Sequence, residues 1–294
     1  MTPVDGLLVV DKPAGWTSHD VVAKLRGIVG QRRVGHSGTL DPDATGVLLV
    51  GLGRVTRLLR FLGDLPKTYE GEIVLGIETD TLDDSGEVTA THDMSGVGVV
   101  DLRAAAGALT GEIKQIPPMV SAVKVGGRRL HELAREGKHV ERLPRPVNIH
   151  RFEVGEAIER AVHPISVVCS AGTYVRVLAA DLGRACGGGA HLRNLRRTAI
   201  GTFELAEARG LEAIAADPAA AVLPPGDALR HLPVVAVAPD VAAQVAHGAR
   251  LAAGVLTGDG SGPWRVVDGS GRLLAVYEAH LSGTKPAVVL ADPR

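Results

Sequence analysis

The sequence predicts an α+β fold, a mixed and mostly antiparallel sheet core with flanking helices, followed by a small β-rich C-terminal domain. Three observations lead there. Apolar runs of strand length mix with helical stretches without a regular βαβα repeat, which argues against a doubly wound sheet. Turn signals rich in Gly, Pro and Asp separate the runs. After residue 231, β-like runs punctuated by Gly269, Gly271 and Gly283 dominate. The 294 residues suffice for one large and one small domain, expected at 1–231 and 232–294.

In chain order, residues 6–10 form an apolar run that reads as a buried strand, closed by the turn Asp11-Lys12-Pro13-Ala14-Gly15. Ser18 is the expected N-cap of a helix with apolar positions at Val21, Val22, Leu25, Ile28 and Val29, stopping at Gly30. Residues 45–52 and 69–77 read as strands, and Asp83-Asp84-Ser85-Gly86 as a turn between strands. An Ala-rich helix is expected over 101–109. Pro117-Pro118 lead towards a short basic helix or ordered loop over 128–135. Strands follow at 147–154 and 165–170, then Gly172-Thr173 and a helix carrying Val177, Leu178 and Leu182. Leu223-Pro224-Pro225-Gly226 and His231-Leu232-Pro233 have connector chemistry.

With 45% hydrophobic and 22% charged residues, the composition is that of a soluble globular protein. No apolar run reaches the length of a membrane span, and no secretory signal is visible, so a cytoplasmic, membrane-free setting is expected. The two cysteines, Cys169 and Cys186, have no metal-ligand spacing, and no metal site is expected. Net charge is −1, but its distribution is uneven. Residues 72–101 hold eight acidic groups and no Lys or Arg, whereas residues 124–151 hold eight Lys or Arg against three Glu. Smaller basic groups lie at Arg32 and Arg33, at Arg54, Arg57 and Arg60, and at Arg193, Arg196 and Arg197. Such segregation suits one face contacting phosphates, and equally a set of solvated helix faces.

The most informative stretch is residues 35–46, Gly-His-Ser-Gly-Thr-Leu-Asp-Pro-Asp-Ala-Thr-Gly. Three glycines and a proline in twelve residues indicate a loop on a close-fitting path. Pro42 restricts Asp41 to an extended backbone, and the strand that follows anchors the loop. Alone, this is either a site presenting a carboxylate or a turn in which Asp41 caps backbone amides.

Residues 35–46 resemble the motif of TruB-family tRNA pseudouridine synthases that carries the catalytic aspartate, with Ser37 where the family often has threonine. Further segments match in order. Asp11-Lys12-Pro13-Ala14-Gly15 is similar to the family's Lys-Pro motif, and Lys67-Thr68-Tyr69-Glu70-Gly71-Glu72 to its tyrosine motif. Gly172-Thr173-Tyr174-Val175-Arg176 with Asp181-Leu182-Gly183 is similar to its arginine motif, followed by Gly189-Ala190-His191-Leu192 and Leu195-Arg196-Arg197. The similarity spans roughly residues 5–205.

The resemblance implies a sheet core of the pseudouridine synthase type. It also implies isomerisation of uridine to pseudouridine in the T-arm loop of tRNA, at position 55 of standard tRNA numbering. The glycosidic bond is broken and the uracil rejoined through C5, without a redox change or group donor, so no cofactor is expected. Asp41 is the implied nucleophile. Arg176 is its implied partner, favouring the ionised form and holding it bidentately. Tyr69, one of only three tyrosines, is placed against the uracil, where stacking is worth roughly 1–3 kcal/mol. Leu195 is expected to line the base pocket, Tyr174 to support Arg176, and Lys12 to buttress the site. The target must be flipped out at a cost of a few kcal/mol, with His36 implied at the vacated position. The basic stretch within about 120–151, including Arg128 and Arg129, matches an RNA-gripping insertion. Residues 232–294, with Trp264, Asp268-Gly269 and Lys285-Pro286, resemble a PUA-like domain contacting the acceptor stem. The expected assembly is a monomer without an obligate protein partner.

Two other classes compete. An RNA-binding or tRNA-folding protein would make catalysis secondary. A hydrolase with an aspartyl nucleophile would need a phosphate-cradling loop or a second catalytic carboxylate, and nothing identifies Asp43 as that partner.

Overall fold

The computed structural model describes residues 4–291 apart from 120, 122–123, 126, 130–135, 137, 139 and 259. The chain runs β1 (Gly6–Lys12), α1 (Ser18–Val29), β2 (Val34–Ser37), β3 (Thr45–Leu52), a 3₁₀ turn (Gly53–Arg57), α2 (Arg60–Gly63) and β4 (Lys67–Leu75). Next are β5 (Ile77–Thr79), β6 (Val88–Thr91), α3 (Val99–Ala108), β7 (Gly111–Gln115), β8 (Lys124–Val125) and β9 (Arg128–Arg129). They lead to β10 (Arg145–Val154), β11 (Val162–Cys169), α4 (Val175–Ala185), β12 (Ala190–Ile200) and β13 (Phe203–Glu204). After the short helices α5 (Leu211–Ala216) and α6 (Pro218–Ala221), the last part holds β14 (Val234–Ala236), α7 (Pro239–Ala246), β15 (Leu251–Ala252), β16 (Trp264–Val267), β17 (Leu273–His280) and β18 (Gly283–Val289).

The main sheet has the order β1-β3-β12-β4-β11-β10-β7, with β2 also on β3 and β13 on β12. Every pairing is antiparallel except β3 with β12, so the mixed α+β expectation holds. β1 and β3 are covered on both faces, which is why they read as continuous apolar runs rather than alternations. Leu8, Val10, Leu48 and Val50 pack on α1, while Leu7, Val9, Val47 and Leu49 face Val55, Leu58, Leu62 and the C-terminal sheet. At about 1.5–3 kcal/mol for each fully buried side chain, these strands give the residue 38–44 loop a rigid base. α4 buries eight of its eleven residues against the main sheet and α3.

The expected boundaries shift where a local rule wins. Thr17, not Ser18, caps α1: its Oγ1 accepts from the Asp20 amide at 3.1 Å while Asp20 accepts from the Thr17 amide at 2.9 Å. A capping box needs its acidic member three residues on, and only Thr17 has one there. The strand expected at 69–77 is broken by Gly76 at φ +81°, giving β4 and β5. Of the basic element expected at 128–135, Arg128 and Arg129 form the two-residue β9, and residues 130–135 lie outside the described residues.

The C-terminal strands form one sheet, β14-β16-β17-β18-β15, around Trp264, Val266, Ala275 and Tyr277. Its other face, through Val267, Leu273, Val276, Val288 and Leu290, shares a core with Leu7, Leu58 and Phe203. Arg54, Arg57 and Arg60 reinforce this seam by donating to the carbonyls of Leu290 (2.7 Å), Val289 (2.7 Å) and Ala287 (3.1 Å). Each of these basic residues therefore has a partner within the chain, a use that a basic run does not disclose in sequence.

Candidate active site

Asp41 lies in the loop between β2 and β3, and both its neighbours are pinned. The Leu40 amide donates to Ser18 Oγ at 3.0 Å, and Ser18 Oγ donates to the Leu40 carbonyl. On the other side, Lys12 Nζ donates to the carbonyls of Pro42 (2.7 Å), Pro13 (2.9 Å) and Trp16 (2.6 Å). All three ammonium donors are thereby used. Burial lowers Lys12 to about 8, so it remains an ammonium at neutral pH. Expected among the substrate-binding residues, Lys12 is wholly buried behind the loop and holds it in place.

Arg176 stands in the first turn of α4 with only 4% of its side chain exposed. Its Nη2 lies 3.4 Å from Asp41 Oδ1, and its Nη1 lies 3.5 Å from Asp83 Oδ2 and 3.4 Å from the Thr81 carbonyl. The expected bidentate grip on Asp41 is corrected to a guanidinium shared between two carboxylates. Asp83 is itself fixed, accepting from the hydroxyls of Thr81 and Ser85 at 2.6 Å each. In sequence Asp83 reads only as a turn residue, because its partner is 93 positions away.

The Asp41 side chain keeps 44% of its surface open to the cleft. The walls strip enough water from it to push its carboxyl above the ordinary carboxylate value. Arg176 opposes that shift most strongly and Lys12 adds to the opposition, whereas Asp83 and Asp43 push the same way as burial.

Tyr69 is buried on β4, and burial raises its phenol above the ordinary value against the opposing charge of Arg197. The phenol is therefore protonated at neutral pH. Arg197, another residue whose place the sequence did not disclose, is 1% exposed. It donates to the carbonyls of Val47 (2.7 Å) and Gly38 (2.8 Å), and its guanidinium carbon is 6.0 Å from the Tyr69 ring centroid.

Two cavities meet at Asp41. One of about 390 Å³ is lined by Lys67, Tyr69, residues 170–176, Leu195 and Arg197. The other, of about 450 Å³, runs past Pro42, Asp83, Ser85 and Asn194. Asp41, Arg176 and Leu195 border both. The structure thus brings Asp41, Tyr69, Arg176 and Leu195 together in one concave site of ligand-binding size, with the half-buried Tyr174 beside Arg176.

The remaining sequence candidates fall elsewhere. His36 sits on β2 against His19, ring centroids 5.2 Å apart, and borders neither cavity. Burial lowers His36 to about 4, so its ring is neutral. Its Nδ1 is buried without a hydrogen-bond partner among the described residues. Arg128 is exposed and paired with Glu136, and the Arg129 side chain lies outside the described residues. Among the described residues no group of three or more His, Cys, Asp or Glu side chains is arranged to hold a metal, and no helix is long and apolar enough to cross a membrane.

A model of the TruB family pseudouridylate synthase N-terminal domain matches residues 26–175, and one of the tRNA pseudouridylate synthase B C-terminal domain matches residues 176–231. A tRNA pseudouridine synthase B of Arthrobacter sp. (strain FB24) is 43% identical over 304 residues, covering 98% of this chain and 97% of the relative. Another, of Symbiobacterium thermophilum, is 51% identical over 247 residues, covering 83% and 82%. Among solved structures, a chain of an H/ACA ribonucleoprotein bound to a substrate RNA containing 2′-deoxyuridine superposes with a TM-score of 0.76 at 25% identity. A chain of a Cbf5–Nop10–Gar1 complex gives 0.75 at 29%. Each of these superpositions covers 98% of this chain, and they cover 86% and 84% of the respective neighbours. Matched by family models from residue 26 to 231 and by relatives along almost its whole length, the chain belongs to the TruB family of pseudouridylate synthases, which are isomerases.

Proposed function

We propose that the protein converts one uridine in the T-arm loop of tRNA, position 55 in standard numbering, to pseudouridine. The observation that carries this reading is the Asp41 carboxylate at the junction of two cavities, between Arg176, Tyr69 and Leu195. A flipped uridine enters this site with its uracil against Tyr69 and Leu195. Flipping costs a few kcal/mol, which stacking at about 1–3 kcal/mol and phosphate contacts offset. Asp41, ionised and aimed by Arg176, opens the glycosidic bond as nucleophile, and the uracil rotates in the cavity and rejoins through C5. The protonated Tyr69 phenol stays close to the base during that exchange.

Outside the cleft, His36 fills the position the flipped base vacates, its neutral ring able to stack on a neighbouring base. Arg128 and Arg129, with the rest of the basic stretch within about 120–151, contact phosphates. Residues 232–294 act as a PUA-like RNA-binding domain touching the acceptor stem, and residues 1–231 as the catalytic domain. The protein acts as a monomer without an obligate protein partner. The cytoplasm is the compartment this substrate assigns.

The test is nucleotide-resolution mapping of pseudouridine in unmodified tRNA transcripts after incubation with the purified protein and no cofactor. Modification at position 55 alone, in full-length tRNA and in an isolated T-arm hairpin, is expected. Modification elsewhere, or dependence on an added protein, contradicts the assignment.

A further inference from the structure

One end of the cavity holds a cation that the chemistry assigned to Asp41 and Arg176 leaves unused. Lys67 opens β4 two residues before Tyr69, and strand alternation puts both side chains on the same face. Lys67 is 5% exposed and borders the 390 Å³ cavity together with Gly63, Tyr69 and Arg197. Its Nζ donates to the Gly63 carbonyl, which occupies one of three donors. Among the described residues it forms no ion pair with a carboxylate. The groups facing it are Arg197 from β12, Cys169 from β11, Asp64 from the turn before β4, and Tyr69 on its own strand. One of these is a second buried cation, and burial pushes the Cys169 thiol up to about 11, so it is neutral.

Buried ammonium groups are ordinarily paired, because removing them from water is costly. Among the described residues the carboxylate lining the cavity is Asp41, and it is paired with Arg176 rather than with Lys67. Lys67 and Arg197 therefore set two cations beside the substrate space, and among the described residues the exposed Asp64 is the carboxylate that acts on Lys67 without forming an ion pair with it. Such an arrangement favours an anion, and preorganised charge is most effective towards charge that develops only during reaction. Breaking a base–sugar bond with retention of the electron pair by the base creates that charge.

On the reading of the reaction given above, we propose that Lys67 is a further catalytic residue, stabilising the uracil anion released when the glycosidic bond opens. The C1′–N1 bond breaks and its electron pair stays with the uracil, spread over N1, O2 and O4. Asp41 supplies the pair that replaces it, bonding to C1′ through a carboxylate oxygen, and that bond breaks again, returning the pair to the carboxylate, when C5 attacks C1′. Lys67 donates one of its remaining N–H groups to a base carbonyl oxygen at this stage and keeps its proton throughout. The pair then returns when C5 bonds to C1′, after which C5 loses its proton and N1 gains one. Atoms and charge balance without an added reactant, as an isomerisation requires.

The test is the single-turnover rate of tritium release from tRNA labelled at uracil C5, for wild type, Lys67→Met and Lys67→Arg, between about pH 6 and 10. Lys67→Met is expected to slow release by about 10²–10³-fold, the effect of losing one charge-stabilising donor, with tRNA affinity little changed. Lys67→Arg is expected to recover much of the rate. Burial lowers Lys67 to about 8, so the wild-type rate falls on the alkaline side near that pH. The part of that fall due to Lys67 disappears in Lys67→Arg, because a guanidinium stays charged. A purely structural role would not move the alkaline limb. Lys12 titrates in the same range in every variant, so the proposal is read from the difference: an alkaline limb identical in Lys67→Arg and wild type overturns it, as does wild-type speed in Lys67→Met. Should Lys67→Met fail to fold, the Lys67→Arg profile decides alone. No release by the wild type itself would defeat the assigned reaction rather than the role of Lys67.

Discussion

At the scale of single residues, the site is an argument about charge. Asp41 must be ionised to act as a nucleophile, yet its surroundings strip it of water and place Asp83 on the same guanidinium. Activity is then lost as pH falls through a carboxyl value raised above the ordinary one. Asp83 is one of the causes of that rise, so Asp83→Asn should lower the Asp41 value and move the acid limb of kcat/KM to lower pH. A limb that stays in place or moves up would remove Asp83 from the electrostatics of the site. The sequence disclosed Asp41 through the glycines and Pro42 around it, and Tyr69 through its rarity. Asp83 was legible only as a turn residue and Arg197 only as the end of a matched segment, since neither is seen at the cavity until the fold brings it there.

At the scale of elements, the catalytic loop is positioned by the crossing of β3 and β12. Their parallel pairing sets Gly46 opposite Arg197, the residue whose guanidinium holds Gly38 and faces Tyr69. Gly46 has φ +101°, and a Cβ there would come within 2.2 Å of the Arg197 carbonyl oxygen. Gly46→Ala should therefore combine backbone strain with overpacking and cost about 3 kcal/mol or more in urea unfolding. A loss under about 1 kcal/mol, the range of an unremarkable surface change, would contradict this account of the crossing. Periodicity and turn chemistry disclosed β3 to the residue, because its apolar run ends cleanly at both sides. They misjudged the start of α1 and the end of β4, which depend on a reciprocal cap and on one left-handed glycine.

At the scale of the whole molecule, the uneven charge distribution is put to more than one use. Arg54, Arg57 and Arg60 fasten the C-terminal sheet to the core across 227 to 236 positions of sequence. A basic run looks the same whether its partner is a phosphate or a distant carbonyl, so this part was not legible. Arg128 instead pairs with Glu136 on the surface, where water and salt screen an ion pair and it yields readily to RNA. Neutralising Arg128 and Arg129 together should weaken tRNA binding. The plot of log affinity against log salt should also flatten, by about 0.7–0.9 for each phosphate that is no longer neutralised. An unchanged slope would take the two arginines out of the RNA interface. The central claim is that Asp41 opens the glycosidic bond of a tRNA uridine, and the most direct measurement is tritium release from unmodified tRNA labelled at uracil C5, without cofactor, for wild type and Asp41→Asn. The account predicts release by the wild type and none by Asp41→Asn, which still folds and binds tRNA. Release by Asp41→Asn at the wild-type rate, or none by a wild-type protein that binds tRNA, would contradict it.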